Sequence, residues 1–111
     1  SLDDVCVLER VLKRKPSILS LNDLLDIITD LGVEVLGKSV YNNNIGLLVR
    51  DRVTNLDYAL LIDNNGYVID TNVCIETTTP YHLLEFILYL RNNYEYVYVY
   101  SSEGYPWIPR T

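Results

Sequence analysis

The sequence predicts an α+β domain, with a largely antiparallel five-stranded sheet, helices packed mainly on one face, and the element order α-α-β-β-β-β-α-β. Three observations carry this. Leu56 to Glu76, LDYALLIDNNGYVIDTNVCIE, places β-branched and aromatic residues on both sides of Asn65-Gly66, the signature of a hairpin. Residues 79–93 repeat apolar side chains at helical spacing around most of a circumference. The strand candidates ahead of the hairpin are joined by short connections, which makes them antiparallel neighbours. With 111 residues, about half of them apolar, the chain fits one domain of ordinary size.

Composition narrows the function classes. The net charge of −6 repels both the phosphate backbone and anionic lipid surfaces, so generic nucleic-acid binding is disfavoured. No apolar run reaches the roughly 18 residues needed to span a bilayer, and no signal-peptide pattern opens the sequence, so a cytoplasmic protein without a membrane partner is expected. Cys6 and Cys74 have neither metal-ligand spacing nor the number for a disulfide framework, and read as reduced apolar residues. With no phosphate-cradling glycine loop, zinc spacing or nucleophile elbow, neither a cofactor nor an enzyme is expected.

Residues 3–15 read as a helix with Val5, Leu8 and Leu12 on one stripe, ended by Pro16. Arg10, Lys13 and Arg14 share one of its faces, a geometry suited to a phosphate or an acidic partner. Cations in a last turn also complement the helix dipole, which is the simpler account. Ser20 caps a second helix over 20–31, with Asp23 in its first turn, Leu21, Leu24, Leu25, Ile28 and Leu31 at helical spacing, and Gly32 as its stop. Two helices followed by a ribbon suggest a winged helix. A third helix is missing, however, and Asn22, Asp23, Asp26 and Asp30 give the second an acidic face unsuited to a major groove.

Residues 33–76 form a four-stranded meander. Its first two strands meet at Asn42-Asn43-Asn44, and Gly37 and Gly46 mark bulges or close backbone approach. In the hairpin that follows, a type I′ turn at Asn65-Gly66 pairs Asn64 with Tyr67, Ile62 with Ile69, Leu60 with Thr71 and Tyr58 with Val73. One side then carries Tyr58, Leu60, Ile62, Tyr67, Ile69, Val73 and Ile75 as core, and the other Asp57, Asp63, Asp70, Asn72 and Glu76 among Ala59, Leu61, Val68 and Cys74. Thr79 and Pro80 start the helix over 79–93, whose polar strip is only His82, Glu85, Tyr89 and Asn92, so it is either central or part of a subunit interface. Residues 94–101 form the last strand, with Tyr94, Tyr96, Tyr98 and Tyr100 on one face. Residues 102–111 extend beyond it with Tyr105, Trp107 and Ile108 to place.

The tyrosine ladder is the strongest functional feature, because tyrosine combines a large ring with a hydroxyl and is enriched at interface hot spots. The same ladder also suits packing within the chain, and stacking of single-stranded bases is a lesser option without a basic track beside it. Asp63 and Asp70, diagonal neighbours in the predicted register, with Glu76 further along, are loosely similar to acidic metal centres of nucleases, although the lysine that usually accompanies them is missing. Cys74 with His82, the sole histidine, is the one candidate nucleophilic dyad.

A helix, a hairpin of the ALLIDNNGYVID type, another helix and a final strand resemble roadblock and longin-type dimerisation modules. The resemblance covers Leu21 to Ile108 as topology, and the strands before Tyr58 depart from the roadblock pattern. It implies a dimerisation fold and transfers no functional residue. The expected function is a non-enzymatic interaction module, a homodimer or a subunit of a larger assembly, using Tyr94, Tyr96, Tyr98, Tyr100, Tyr105 and Trp107. The alternatives are a metal-dependent nuclease or hydrolase built on Asp63, Asp70 and Glu76, and a nucleic-acid factor using Arg10, Lys13 and Arg14.

Overall fold

The computed structural model describes residues 20–74, 81–94, 97–99 and 104–110. The predicted helix over 3–15, with Arg10, Lys13 and Arg14, lies outside them, as do Glu76, Thr79, Pro80, Tyr96 and Tyr100. In chain order the elements are α1 (Leu21–Asp30), β1 (Val33–Tyr41), β2 (Asn44–Asp51), β3 (Leu56–Ile62), β4 (Tyr67–Thr71), β5 (Val73–Cys74), β6 (Tyr81–His82), α2 (Leu83–Asn92) and β7 (Tyr98–Val99). An antiparallel five-stranded sheet runs β1-β2-β3-β4-β6, and β5 pairs with β7 in a small second sheet. The α+β class with a five-stranded antiparallel sheet is therefore as expected.

Local chemistry explains the boundaries. The Ser20 hydroxyl accepts from the Asp23 N–H at 3.2 Å, and Gly32, at φ 87°, ends α1 in a conformation closed to most side chains. Tyr41 pairs with Asn44 across Asn42 and Asn43, both at positive φ (48° and 66°), so the type I′ turn of this fold is here. Leu36 is an extra residue between the Val35–Val49 and Gly37–Leu48 pairs, which makes Gly37 the border of a bulge.

The β3–β4 hairpin corrects the expected register. Only Gly66 of its turn has positive φ (84°). The Asp63 carbonyl accepts from the Gly66 N–H at 3.1 Å, and the Asp63 N–H donates to Tyr67 at 3.0 Å, giving a three-residue loop. One Asp63 carboxylate oxygen accepts from the N–H groups of Asn65 (2.9 Å) and Tyr67 (3.0 Å), which holds Asn65 away from the left-handed region that type I′ requires. Leu60 pairs with Thr71 as expected, but Ile62 pairs with Val68, and Ile69 becomes a bulge residue. Val68 consequently enters the core, while Tyr67 and Ile69, expected there, are exposed.

Two further corrections concern the second half. Tyr81 and His82, expected in a helix, form β6 against Val68 and Tyr67, and the Leu83 N–H donates to the Gly66 carbonyl at 2.6 Å as α2 begins. The outer edge of β4 takes these two residues as partners before the helical pattern starts. Tyr94 follows the helix in a turn closed by the Val97 N–H on its carbonyl (3.1 Å), so the strand expected over 94–101 is reduced, among the described residues, to Tyr98–Val99.

Both faces of the sheet are covered. On one, Leu24 and Ile28 of α1 and Leu83, Leu84, Phe86, Ile87 and Leu90 of α2 bury Leu47, Val49, Tyr58, Leu60, Ile62 and Val68. On the other, Trp107 seats on Ala59 and Leu61, bordered by Tyr41, Leu48, Tyr105 and Ile108. The helix over 83–92 is thus central, as one of its two readings had it. No helix among the described residues is long and apolar enough to cross a membrane.

Candidate functional site

Alternation along β2 and β3 sends odd-numbered residues of β2 and even-numbered residues of β3 toward the helices, and the rest toward Trp107. That second face divides in two. At one end the Arg50 guanidinium grips the Asp57 carboxylate at 2.7 and 3.0 Å, and Arg52 reaches Glu34 at 3.1 Å, an exposed set of mutually neutralised charges. At the other end lies Trp107, only 4% exposed. Its carbonyl accepts from the Ser39 hydroxyl (3.0 Å), and its indole N–H donates to Asp70 Oδ2 (3.0 Å). Gly46 is required beneath it, because a Cβ there would collide with the Trp107 carbonyl and stand 2.7 Å from Ser39 Oγ. Trp107, expected as an anchor for a partner, is held within its own chain, and Tyr105 packs edge-on against it at 5.5 Å.

The acidic candidates are separated by their tasks. Asp63 organises the hairpin loop, and Asp70 accepts from the Thr71 N–H (2.8 Å) as well as from Trp107. Among the described residues no three His, Cys, Asp or Glu side chains are grouped to hold a metal ion. Cys74 is a free, half-buried thiol on β5, opposite Tyr98, whereas His82 lies on β6 with its ring edge-on to Tyr67 at 5.5 Å. No hydrogen bond joins the two among the described residues. His82 Nδ1 is buried without a hydrogen-bond partner among the described residues, and the Nε2 and Cδ2 edge of the same ring faces the tight Gly66 turn.

Tyrosines of the former ladder that are described face outward. Tyr94 is 54% exposed, Tyr98 67% and Val99 50%, while Val97 turns in against the helical core. Tyr67 and Ile69, released by the β4 bulge, add exposed apolar surface on the strand that leads after one residue into β5. The bulge could not be read in advance, since nothing in Ile69 itself distinguishes it from a core position.

Sequence reasoning also missed Asp51 and Arg91, a buried pair at the end of β2 and the last turn of α2. Arg91 Nε donates to Asp51 Oδ2 at 3.0 Å and Nη2 to Oδ1 at 3.1 Å, with a further bond to the Leu31 carbonyl at 3.2 Å. The pair ties both helix ends to the sheet and is structural. Comparisons with protein-family models, curated proteins and solved structures found no match to this chain.

Proposed function

We propose that this chain is a small non-enzymatic interaction module that associates with itself, as a homodimer or as a subunit of a larger assembly, through the exposed aromatic and apolar side chains of Tyr94, Tyr98 and Val99, with Tyr67 and Ile69 of β4 as further exposed apolar residues. The observation that carries the reading is Tyr98: a large ring two-thirds exposed on a two-residue strand. Exposed rings of this kind gain most from burial against a partner. Other surfaces are less suited. The β1 edge carries a bulge and Lys38, both of which discourage strand-to-strand pairing, and the Arg50, Asp57, Arg52 and Glu34 side chains already satisfy one another. We place the module in the cytoplasm, where Cys74 stays a thiol.

Light scattering on the wild type and on a Tyr94→Ser/Tyr98→Ser variant tests this. The wild type is expected to associate. The variant, unchanged in far-UV circular dichroism, is expected to do so on the order of a hundred- to a thousandfold more weakly. A wild type that stays monomeric at every concentration, or a variant that associates as well as the wild type, removes the proposal.

A further inference from the structure

The seat of Trp107 has the features of a peptide-recognition site. The floor is Ala59, whose small side chain leaves room for an indole, and Leu61; Tyr41 and Leu48 stand at its border. Gly46 lets the backbone of the guest come close, the Ser39 hydroxyl reads the guest's carbonyl, and Asp70 reads the indole N–H. The guest, residues 104–110, joins no strand. Among the described residues no backbone-to-backbone hydrogen bond ties it to the sheet; the one such bond it makes is internal, from the Ile108 N–H to the Tyr105 carbonyl at 3.2 Å. Pro106 and Pro109 flank the anchor and restrict its backbone before it docks, which lowers the ordering cost of binding. Gly104, at φ 92° with open space where a side chain would stand, begins the segment in a conformation that few other residues adopt.

We propose that this seat is a recognition site for an extended Pro-Trp-Ile segment, and that its second occupant is residues 104–110 of another copy, the two copies exchanging their segments reciprocally. Every contact in the seat is made between a segment and a surface that each copy carries, so exchange preserves all of them. Two such exchanges close a two-fold pair with no seat left empty. The proposal stands independently of the Tyr94 and Tyr98 surface.

The test uses two full-length variants. Trp107→Ala keeps the seat and removes its anchor, and Gly46→Val keeps the anchor and blocks the seat. Trp107 is the only tryptophan, so in the mixture the fluorescence comes from the segment of the blocked chain alone. On mixing, that emission is expected to move to shorter wavelength and to saturate at one to one. Adding Asp70→Ala to the Trp107→Ala chain should weaken this about tenfold or more. Association through the tyrosine surface moves neither signal. If Gly46→Val does not fold, a synthetic peptide of residues 104–111 replaces it; if Trp107→Ala does not fold, the same peptide must restore its circular dichroism. Unshifted emission at several hundred micromolar, an Asp70→Ala chain that binds equally well, or a peptide without effect would overturn the proposal.

Discussion

Asp51 has no exposed surface and Arg91 very little, yet both are ionic partners in a two-bond pair whose carboxylate also accepts from the Val53 N–H at 3.0 Å. Desolvating two charges costs several kcal/mol and is offset only while both partners remain. Arg91→Met should therefore destabilise the fold by about 3–5 kcal/mol in urea unfolding, and Asp51→Leu/Arg91→Met should recover most of that loss. A single variant within about 1 kcal/mol of the wild type would sink this account of the pair. Tyr58 offers a second residue-scale test. Burial pushes its phenol above the ordinary 10.0, an effect partly offset by its hydrogen bond with Thr54. Folding thus holds this proton more tightly than the unfolded chain does. Its contribution is complete below the unfolded value and is lost as pH rises through the raised folded one. Tyr58→Phe should accordingly flatten the fall in thermal midpoint above about pH 10, and an unchanged slope would assign that fall to other groups.

At the scale of elements, turn chemistry decides register, and two asparagine-rich turns of this chain divide the available solutions between them. Asn42-Asn43 takes the two-residue type I′ form, with both residues left-handed, while Asn64-Asn65-Gly66 takes the longer loop because the Asp63 carboxylate accepts from the N–H groups of Asn65 and Tyr67. The second central position of a type I′ turn suits glycine best, so Asn43→Gly should raise stability by about 0.5 kcal/mol, measured by thermal or urea denaturation. A loss of stability would mean that the Asn43 side chain matters beyond its backbone conformation. This is also where legibility in the sequence ends. Ser20, Gly32, Gly37 and Gly46 each announced a cap, a stop, a bulge or a close approach, because such demands are local. The Ile69 bulge, the recruitment of Tyr81–His82 to the edge of β4 and the Asp51–Arg91 pair depend on residues far apart along the chain, and periodicity carries no record of them.

For the whole molecule, the sheet is covered on its two faces by layers of unequal strength. The helical side buries a large contiguous cluster, whereas among the described residues the hydrophobic cluster of the opposite side is Ala59, Leu61 and Trp107, with partly buried side chains around them. The candidate site was legible to the same degree. Tyr98 could be recognised from its alternation with valines, but the fate of Trp107 depended on Gly46 and Asp70, residues about 40 to 60 positions away that gave no sign of meeting it. A layer this small, tied down by two side-chain hydrogen bonds, is expected to open before the sheet does, because local opening costs scale with the apolar contacts and hydrogen bonds broken. In urea the Trp107 emission should therefore redden at a lower concentration than that at which the far-UV circular dichroism is lost, and the indole N–H should exchange with solvent faster than the amides of β2 and β3. Coincident transitions would instead make the 104–110 segment part of one cooperative unit, and its exchange between copies would then require unfolding the sheet itself.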